Sequence, residues 1–213
     1  MKGLLLKDLC LLKSQKRILP VYLMLAVWFT VMHNDGFGVP FLMMMASILM
    51  ISTISYDELD HSQTHLFALP FDRKTYVQGK FILGFILMAA SLALAGVCLA
   101  VRMLFEQVPA GTDVATLFLF SALAGAAIIA VMVPVRIRFG GDQGRIVIFA
   151  VFGVIALCAL MVTKLLPGAQ EQVVGLLTRL GPQTVMLITA GAVILLIVIG
   201  YLLAVRWIKQ KEF

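Results

Sequence analysis

The feature that most constrains the fold is a series of six long segments that contain no Lys, Arg, Asp or Glu. A helix needs about 20 residues to cross about 30 Å of hydrocarbon, and these segments approach or exceed that length. They are continuously apolar and do not alternate, which argues against a β-barrel. The sequence therefore predicts an all-α integral membrane protein formed by a single domain, 1–213. Its six transmembrane helices are expected at about 18–34, 37–56, 81–101, 114–135, 146–163 and 183–205.

The composition supports this class. The chain is 62% hydrophobic and 13% charged, whereas soluble domains are about 45–50% apolar and about 25% charged. A soluble domain of this size could not cover so much apolar surface. The three cysteines, Cys10, Cys98 and Cys158, form no C-x-x-C pair, so we expect small buried hydrophobic side chains rather than disulfides.

The distribution of basic residues predicts the orientation in the membrane. With six spans, all of the 17 lysines and arginines except Arg102, Lys164 and Arg179 fall at the two termini and in the segments 57–80 and 136–145. The positive-inside rule then places both termini in the cytoplasm. It also accounts for the net charge of +6 without a nucleic-acid partner.

Residues 1–17 combine leucines at helical spacing with several lysines, and the segment is too charged to cross the membrane. The pattern is typical of an amphipathic interface helix whose lysines face anionic lipid. A cytoplasmic extension of the first span is the alternative. The residues that carry the interface prediction are Leu5, Lys7, Leu9, Leu12 and Lys13.

The segment 57–80 is the longest polar interruption, and it contains the apolar block 66–71. Apolar side chains outside the bilayer usually face a partner or the membrane surface. We therefore predict a docking element in a cytoplasmic loop, the alternative being a solvated loop. The candidate docking residues are Asp57, Glu58, Asp60, Leu66, Phe67, Leu69, Pro70, Phe71, Arg73 and Lys74.

The sequence carries no pattern for catalysis. The apolar runs hold no acidic or basic residue that could act inside the membrane. His61 and His65 have the spacing of two metal ligands, but Ser62 occupies the place of the glutamate in H-E-x-x-H. The phosphate-binding pattern G-x-x-x-x-G-K-[ST] is absent. We therefore expect no enzymatic activity, metal or cofactor on this chain.

Three stretches resemble the small six-span permease subunits of type-2 (ABC-2) bacterial exporters. LLLKDL and LLK within residues 4–13 are similar to the family's N-terminal interface helix. The segment 56–80 has the family's acidic pair, L-P, basic pair and lysine at the start of span three. Residues 134–145 resemble its junction of spans four and five, a second cytoplasmic loop. The residues of that loop are Arg136, Arg138, Phe139, Gly140 and Arg145.

The resemblance implies a permease of the bacterial plasma membrane that works with a separate ABC ATPase subunit, which binds ATP and Mg. Two permeases, identical or related, would join two ATPases. A coupling helix between spans two and three would sit on the ATPase, with Asp57, Glu58 and Asp60 capping it or meeting basic groups of the partner.

Two further points complete the functional prediction. Short outer loops and uncharged spans favour a hydrophobic or amphipathic cargo, such as a peptide, an antimicrobial compound or a lipid, and the chain also contacts membrane lipid. The alternatives are a membrane scaffold or an assembly or immunity protein, and an interfacial enzyme that uses Asp57, Glu58 and Asp60 as metal ligands.

Overall fold

The computed structural model describes residues 2–14, 18–32, 37–59, 72–105, 114–165 and 169–210. These residues form helices and contain no strand, so the predicted all-α class is confirmed for this part of the chain. The helices are α1 (Lys2–Ser14), α2 (Ile18–Met32), α3 (Gly38–Leu59), α4 (Arg73–Phe105), α5 (Val114–Leu165) and α6 (Ala169–Gln210). The coupling helix is predicted within the loop 57–80. Residues 57–59 of that loop end α3 and residues 73–80 begin α4, while residues 60–71 lie outside the described part of the chain.

Four helical stretches in the described chain are long and apolar enough to cross a membrane. They correspond to predicted spans two, three, four and six. α2 contains a shorter apolar stretch, Pro20–Phe29, at the position of predicted span one, and the backbone is helical through predicted span five, 146–163. The four long stretches are Gly38–Asp57, Arg73–Leu104, Val114–Gly140 and Gln183–Gln210.

The segment 136–145 differs from the predicted loop. α5 is helical on both sides of Gly140, which alone leaves helical geometry with φ 73° and ψ −171°. That backbone region is open almost only to glycine, because a Cβ atom would clash there. One glycine therefore redirects the chain between two helical segments, and a longer loop is unnecessary.

α6 is also longer than expected, because the helix starts at Ala169 rather than near 183. Its 42 residues extend about 63 Å at 1.5 Å per residue, about twice the hydrocarbon thickness. Predicted span six is thus the C-terminal part of one continuous helix. Large apolar side chains such as Leu187, Ile194 and Leu202 point outward from that part, as expected for contact with lipid.

The helices pack around α3 and α4. α3 contacts α1, α2, α4 and α5, while α4 also contacts α6. Met50, Ile54, Val77 and Ile129 lie in the largest buried apolar cluster. Cys98 is buried as predicted, but the prediction for Cys10 is wrong, because its side chain is exposed on α1.

α5 and α6 approach closely at Gly200. A Cβ atom at this position would overlap the backbone carbonyl oxygen of Ala130. Small residues permit such close helix contacts in membranes. This crossing holds the C-terminal part of α6 against α5.

Candidate functional site

Four charged side chains from three helices meet at one end of the bundle. Lys80 Nζ of α4 lies 2.9 Å from both carboxylate oxygens of Asp8 on α1 and 2.8 Å from Oδ2 of Asp57 on α3. Lys7 of α1 pairs with Asp57 Oδ1, and its Nζ lies 3.8 Å from Asp8 Oδ1. We call these four residues the charge cluster. Each lysine contacts both carboxylates, so the cluster is a closed and formally neutral ring.

The charge cluster is removed from water. Asp57 and Lys80 are each 1% exposed and Asp8 is 3% exposed, while the side chain of Lys7 is 31% exposed. A buried charge that loses its partner destabilises a protein by several kcal/mol. The four groups therefore depend on one another, and the geometry of one constrains the positions of the helices that carry the others.

Two neutral side chains complete the hydrogen bonding. Lys80 Nζ donates to Thr53 Oγ1 over 3.2 Å, and Tyr76 donates its hydroxyl to Asp57 Oδ2 over 3.0 Å. The Tyr76 ring centroid also lies 5.4 Å from Lys80 Nζ, a cation–π distance. Lys80 thus has an acceptor for each of its three protons.

Helical periodicity explains the local arrangement. Thr53 and Asp57 are four residues apart on α3, and Tyr76 and Lys80 are four residues apart on α4, so each pair lies on one helix face. The α3 face is at the end of one apolar run and the α4 face is at the start of the next. When the two helices pack side by side, these faces meet.

Burial raises the pKa of Asp8, and this effect exceeds the opposing attraction and hydrogen bonds of Lys80. A carboxyl whose pKa is higher in the folded state than in the unfolded state contributes stability at low pH that is lost as pH rises through the folded pKa. The ionised form of Asp8 is therefore held in the cluster at a free-energy cost. The cluster specifies a geometry rather than adding net stability through Asp8.

A second polar contact lies at the C-terminal end of α6. Arg73 Nη1 donates to the carbonyl oxygens of Ile208 and Lys209, each over 3.1 Å. The last carbonyls of a helix lack helical partners and carry partial negative charge, so they favour a cation. The Arg138 guanidinium of α5 lies 4.7 Å from the Trp207 ring centroid. Arginines from α4 and α5 thus hold the last turns of α6.

Two of the predicted docking residues, buried Asp57 and half-buried Arg73, contact other helices of the same chain. Asp57 faces the lysines of its own chain, and Arg73 is bound to α6, so neither side chain is free to serve as a simple exposed contact in this conformation. Lys74 is exposed on the first turn of α4. The remaining positions, Asp60, Leu66, Phe67, Leu69, Pro70 and Phe71, and the side chain of Glu58 lie outside the described residues.

The predicted second loop is divided in a similar way. Arg136 is buried, whereas Arg138 and Phe139 are exposed next to the break at Gly140. The guanidinium of Arg138 lies over the Phe139 ring, and its Cζ atom is 5.6 Å from the ring centroid. The side chain of Arg145 lies outside the described residues.

The prediction for α1 needs one correction. Lys7 does not point freely outward but pairs with Asp57 of α3, and its side chain is 31% exposed. Leu6 and Leu9 are 66% and 44% exposed, while Leu5 and Leu12 are partly buried and Lys13 is exposed. The amphipathic pattern predicted outward charges because it contains no information on the complementary buried pair, Asp57 on α3 and Lys80 on α4.

Sequence reasoning did not assign site roles to Asp8, Lys80, Thr53 or Tyr76. A signal was present: Asp57 ends one apolar run and Lys80 begins the next, and Lys7 and Asp8 form an opposite pair in a leucine-rich helix. Opposite charges at the ends of consecutive spans are candidates for a pair. Among the described residues, no group of three or more His, Cys, Asp or Glu side chains could hold a metal ion, and His61 and His65 lie outside them.

A search of the curated proteins and a search of the solved structures found no match to this chain. A comparison with protein-family models matched residues 3–209 to a family described as "ABC-2 family transporter protein". The match covers nearly the whole chain, and it gives the long apolar helices a role as spans of a multi-pass transport permease. Together the helical architecture and this match show that the chain belongs to the ABC-2 family of transporter proteins.

Proposed function

We propose that this chain is the membrane-spanning permease subunit of an ATP-driven ABC exporter of the bacterial plasma membrane. It pairs with a separate ATPase subunit, which binds ATP and Mg, and with a second permease of the same or a related sequence. It moves a hydrophobic or amphipathic cargo outward. Family membership supports the permease role and, in general terms, the pairing with an ABC ATPase.

The observation that carries the proposal is the tie between the two helices that border segment 60–71. Lys80 and Asp57 join α4 to the end of α3 over 2.8 Å, and Tyr76 adds a hydrogen bond of 3.0 Å to the same carboxylate. A docking segment transmits motion only if its ends are attached to rigid elements. The charge cluster supplies that attachment, through Asp57 near the end of α3 and through Lys80 in the second turn of α4.

The other end of the segment is attached as well. Arg73 follows it after one residue, Asp72, and binds the last carbonyls of α6. A displacement of segment 60–71 therefore acts on α3, α4 and α6 together. Because α6 packs against α5, the displacement reaches four of the helices that carry predicted spans.

The same contacts support the proposed orientation. Lys7 binds Asp57 and Arg73 binds the end of α6, so α1, both borders of segment 60–71 and the C-terminal end of α6 lie at one end of the bundle. Among the described basic residues, Lys7, Arg73, Lys80 and Arg138 lie at that end. An even number of crossings, such as the six proposed here, with both termini in the cytoplasm fits the positive-inside rule.

The experiment is co-purification of the tagged permease from gently solubilised membranes. We expect a soluble ATP-binding-cassette protein in about equal amount. The double variant Leu66→Asp/Phe67→Asp should lose it, because charges in the apolar block oppose burial against a partner. The matched variant Leu66→Ile/Phe67→Leu keeps the block apolar and should retain it.

Two results would contradict the proposal at different points. If the double Asp variant keeps its ATPase, segment 60–71 is not the docking element. If the unaltered permease purifies alone and the sample hydrolyses no ATP, the exporter proposal is wrong and a membrane scaffold or immunity protein becomes the better explanation.

A further inference from the structure

The most deeply buried contact of α1 with the bundle is made by its charges. Of the side chains at 3–13, which the structure describes, only Asp8 is buried; the leucines are partly buried or exposed. Leu6 even points away from the bundle. The charge cluster is therefore the part of α1 that lies deepest in the bundle, while its leucines are covered only in part.

The charge cluster can be divided into neutral pairs in two ways. In one pairing, Lys7 binds Asp57 and Asp8 binds Lys80, which joins α1 to α3 and α4. In the other, Lys80 binds Asp57 and Lys7 binds Asp8. The contacts of the second pairing already exist, at 2.8 Å and 3.8 Å. None of them crosses between α1 and the rest of the protein.

This second pairing allows α1 to separate from α3 and α4 without leaving a buried charge unpaired. α3 and α4 would keep Lys80 with Asp57, supported by Thr53 and Tyr76. α1 would keep Lys7 beside Asp8. Removing one member of a buried ion pair is strongly unfavourable, but here each part retains a complete pair. The border of segment 60–71 therefore stays intact whether α1 is seated or not.

We propose that α1 is a latch that is seated on the α3–α4 junction in one state of the transport cycle and released from it in the other. This inference rests on the proposed function, because the ATPase supplies the motion that shifts the equilibrium. A coupling element needs two discrete arrangements with a small difference in free energy. The raised pKa of Asp8, caused by burial, agrees with a seated state that carries a desolvation cost.

The test measures the distance between α1 and α4 in the complex with its co-purified ATPase. Spin labels are placed on Cys10, which is exposed on α1, and on Lys74→Cys, at an exposed position of α4. Cys98 and Cys158 are replaced by alanine, and singly labelled chains identify distances between two permeases. We expect one distance in the nucleotide-free complex and a different distance, of similar width, when ATP hydrolysis is trapped with vanadate.

A control pair reports on the α3–α4 junction. Labels at Tyr56→Cys and Lys74→Cys, with Cys10 replaced by serine, should give one distance in both states, because Lys80 and Asp57 hold the junction throughout. An unchanged Cys10 to Lys74→Cys distance in a complex that hydrolyses ATP would overturn the latch and leave the proposed function standing. A permease that purifies without an ATPase would overturn both.

A variant tests the role of the charges. Lys7→Gln/Asp8→Asn removes both charges of α1 and leaves the neutral pair on α3 and α4. We expect the released distance in both states, with the ATPase still co-purifying. If this variant keeps the seated distance and still switches with nucleotide, the charge cluster is not the fastening of α1.

Discussion

Replacing Lys80 with Met removes one charge from the charge cluster and keeps most of the apolar length of the side chain. Lys80 is 1% exposed, and without it Lys7 alone faces the carboxylates of Asp8 and Asp57. Breaking a buried ion pair by removing one partner costs about 3–5 kcal/mol. We expect the free energy of unfolding to fall by about that amount, because one negative charge is left without compensation.

A second substitution should recover part of this loss. Lys80→Met combined with Asp8→Asn leaves Lys7 paired with Asp57, so the cluster is neutral again. Residues in one ionic network typically show interaction energies of about 0.5–3 kcal/mol. We expect a value in the upper part of this range, with the double variant more stable than Lys80→Met alone.

The measurement is a reversible titration with sodium dodecyl sulfate in mixed micelles, with helix content followed by circular dichroism. Lys74→Met is the matched control, because it removes an exposed lysine from the same helix. Such surface changes usually stay within about 0.5 kcal/mol. If Lys80→Met costs no more than this control, or if its cost simply adds to that of Asp8→Asn, the four charges do not act as a ring.

The loss should also depend on pH. Burial raises the pKa of Asp8, and the absence of Lys80 would raise it further. A carboxyl of this kind contributes stability below its unfolded pKa that is lost as pH rises through its folded pKa. Lys80→Met should therefore become more destabilising as pH rises, and less so as pH falls and Asp8 takes up a proton. The opposite trend would show that Asp8 is not the carboxylate left uncompensated.

Three other substitutions test the fold with the same titration or with amide exchange. Gly140→Ala should destabilise by about 1–3 kcal/mol, because φ of 73° with ψ of −171° suits almost only glycine; no loss would mean that the break in α5 relaxes freely. Gly200→Ala should also destabilise, since its Cβ would overlap the Ala130 carbonyl, whereas Gly191→Ala on the same helix meets nothing within 4 Å and should be neutral or stabilising. Equal effects of the two would exclude the close crossing. Arg73→Gln should speed amide exchange in the last turn of α6 by removing the contacts to its carbonyls, and unchanged exchange would show that these contacts do not hold the turn.

Much of the fold could be predicted because a membrane helix is recognisable from the apolar sequence of its own segment. Each long apolar run must satisfy its own backbone hydrogen bonds in lipid, and a helix is the way in which a single segment does so. Predicted spans two, three, four and six therefore match long apolar helices. The ends were less predictable, because helices continue beyond their apolar runs: α5 passes the end of predicted span four at 135 and reaches the break at Gly140, and α6 starts at Ala169.

The candidate site could be predicted only in part. Asp57 and Arg73 were among the predicted docking residues, whereas Lys80 was noted only as the lysine at the start of span three. Their partners were not visible, because Lys80 binds a residue 72 positions away and Arg73 binds carbonyls 135 and 136 positions away. No local pattern encodes contacts of that separation, and the backbone carbonyls of α6 carry no sequence signature at all.

That this protein is a helical membrane protein, where its apolar helices run and which segments are basic could be read from the residues alone, because hydrophobicity and charge act through each residue's own transfer between water and lipid. The orientation of α1 could not, because it depends on contacts with distant residues. Taken alone, its Lys7 and Asp8 belong on a polar, outward side. In the folded protein they turn inward, because Asp57 and Lys80 present the complementary pair at a buried junction where a charge without a partner would be costly.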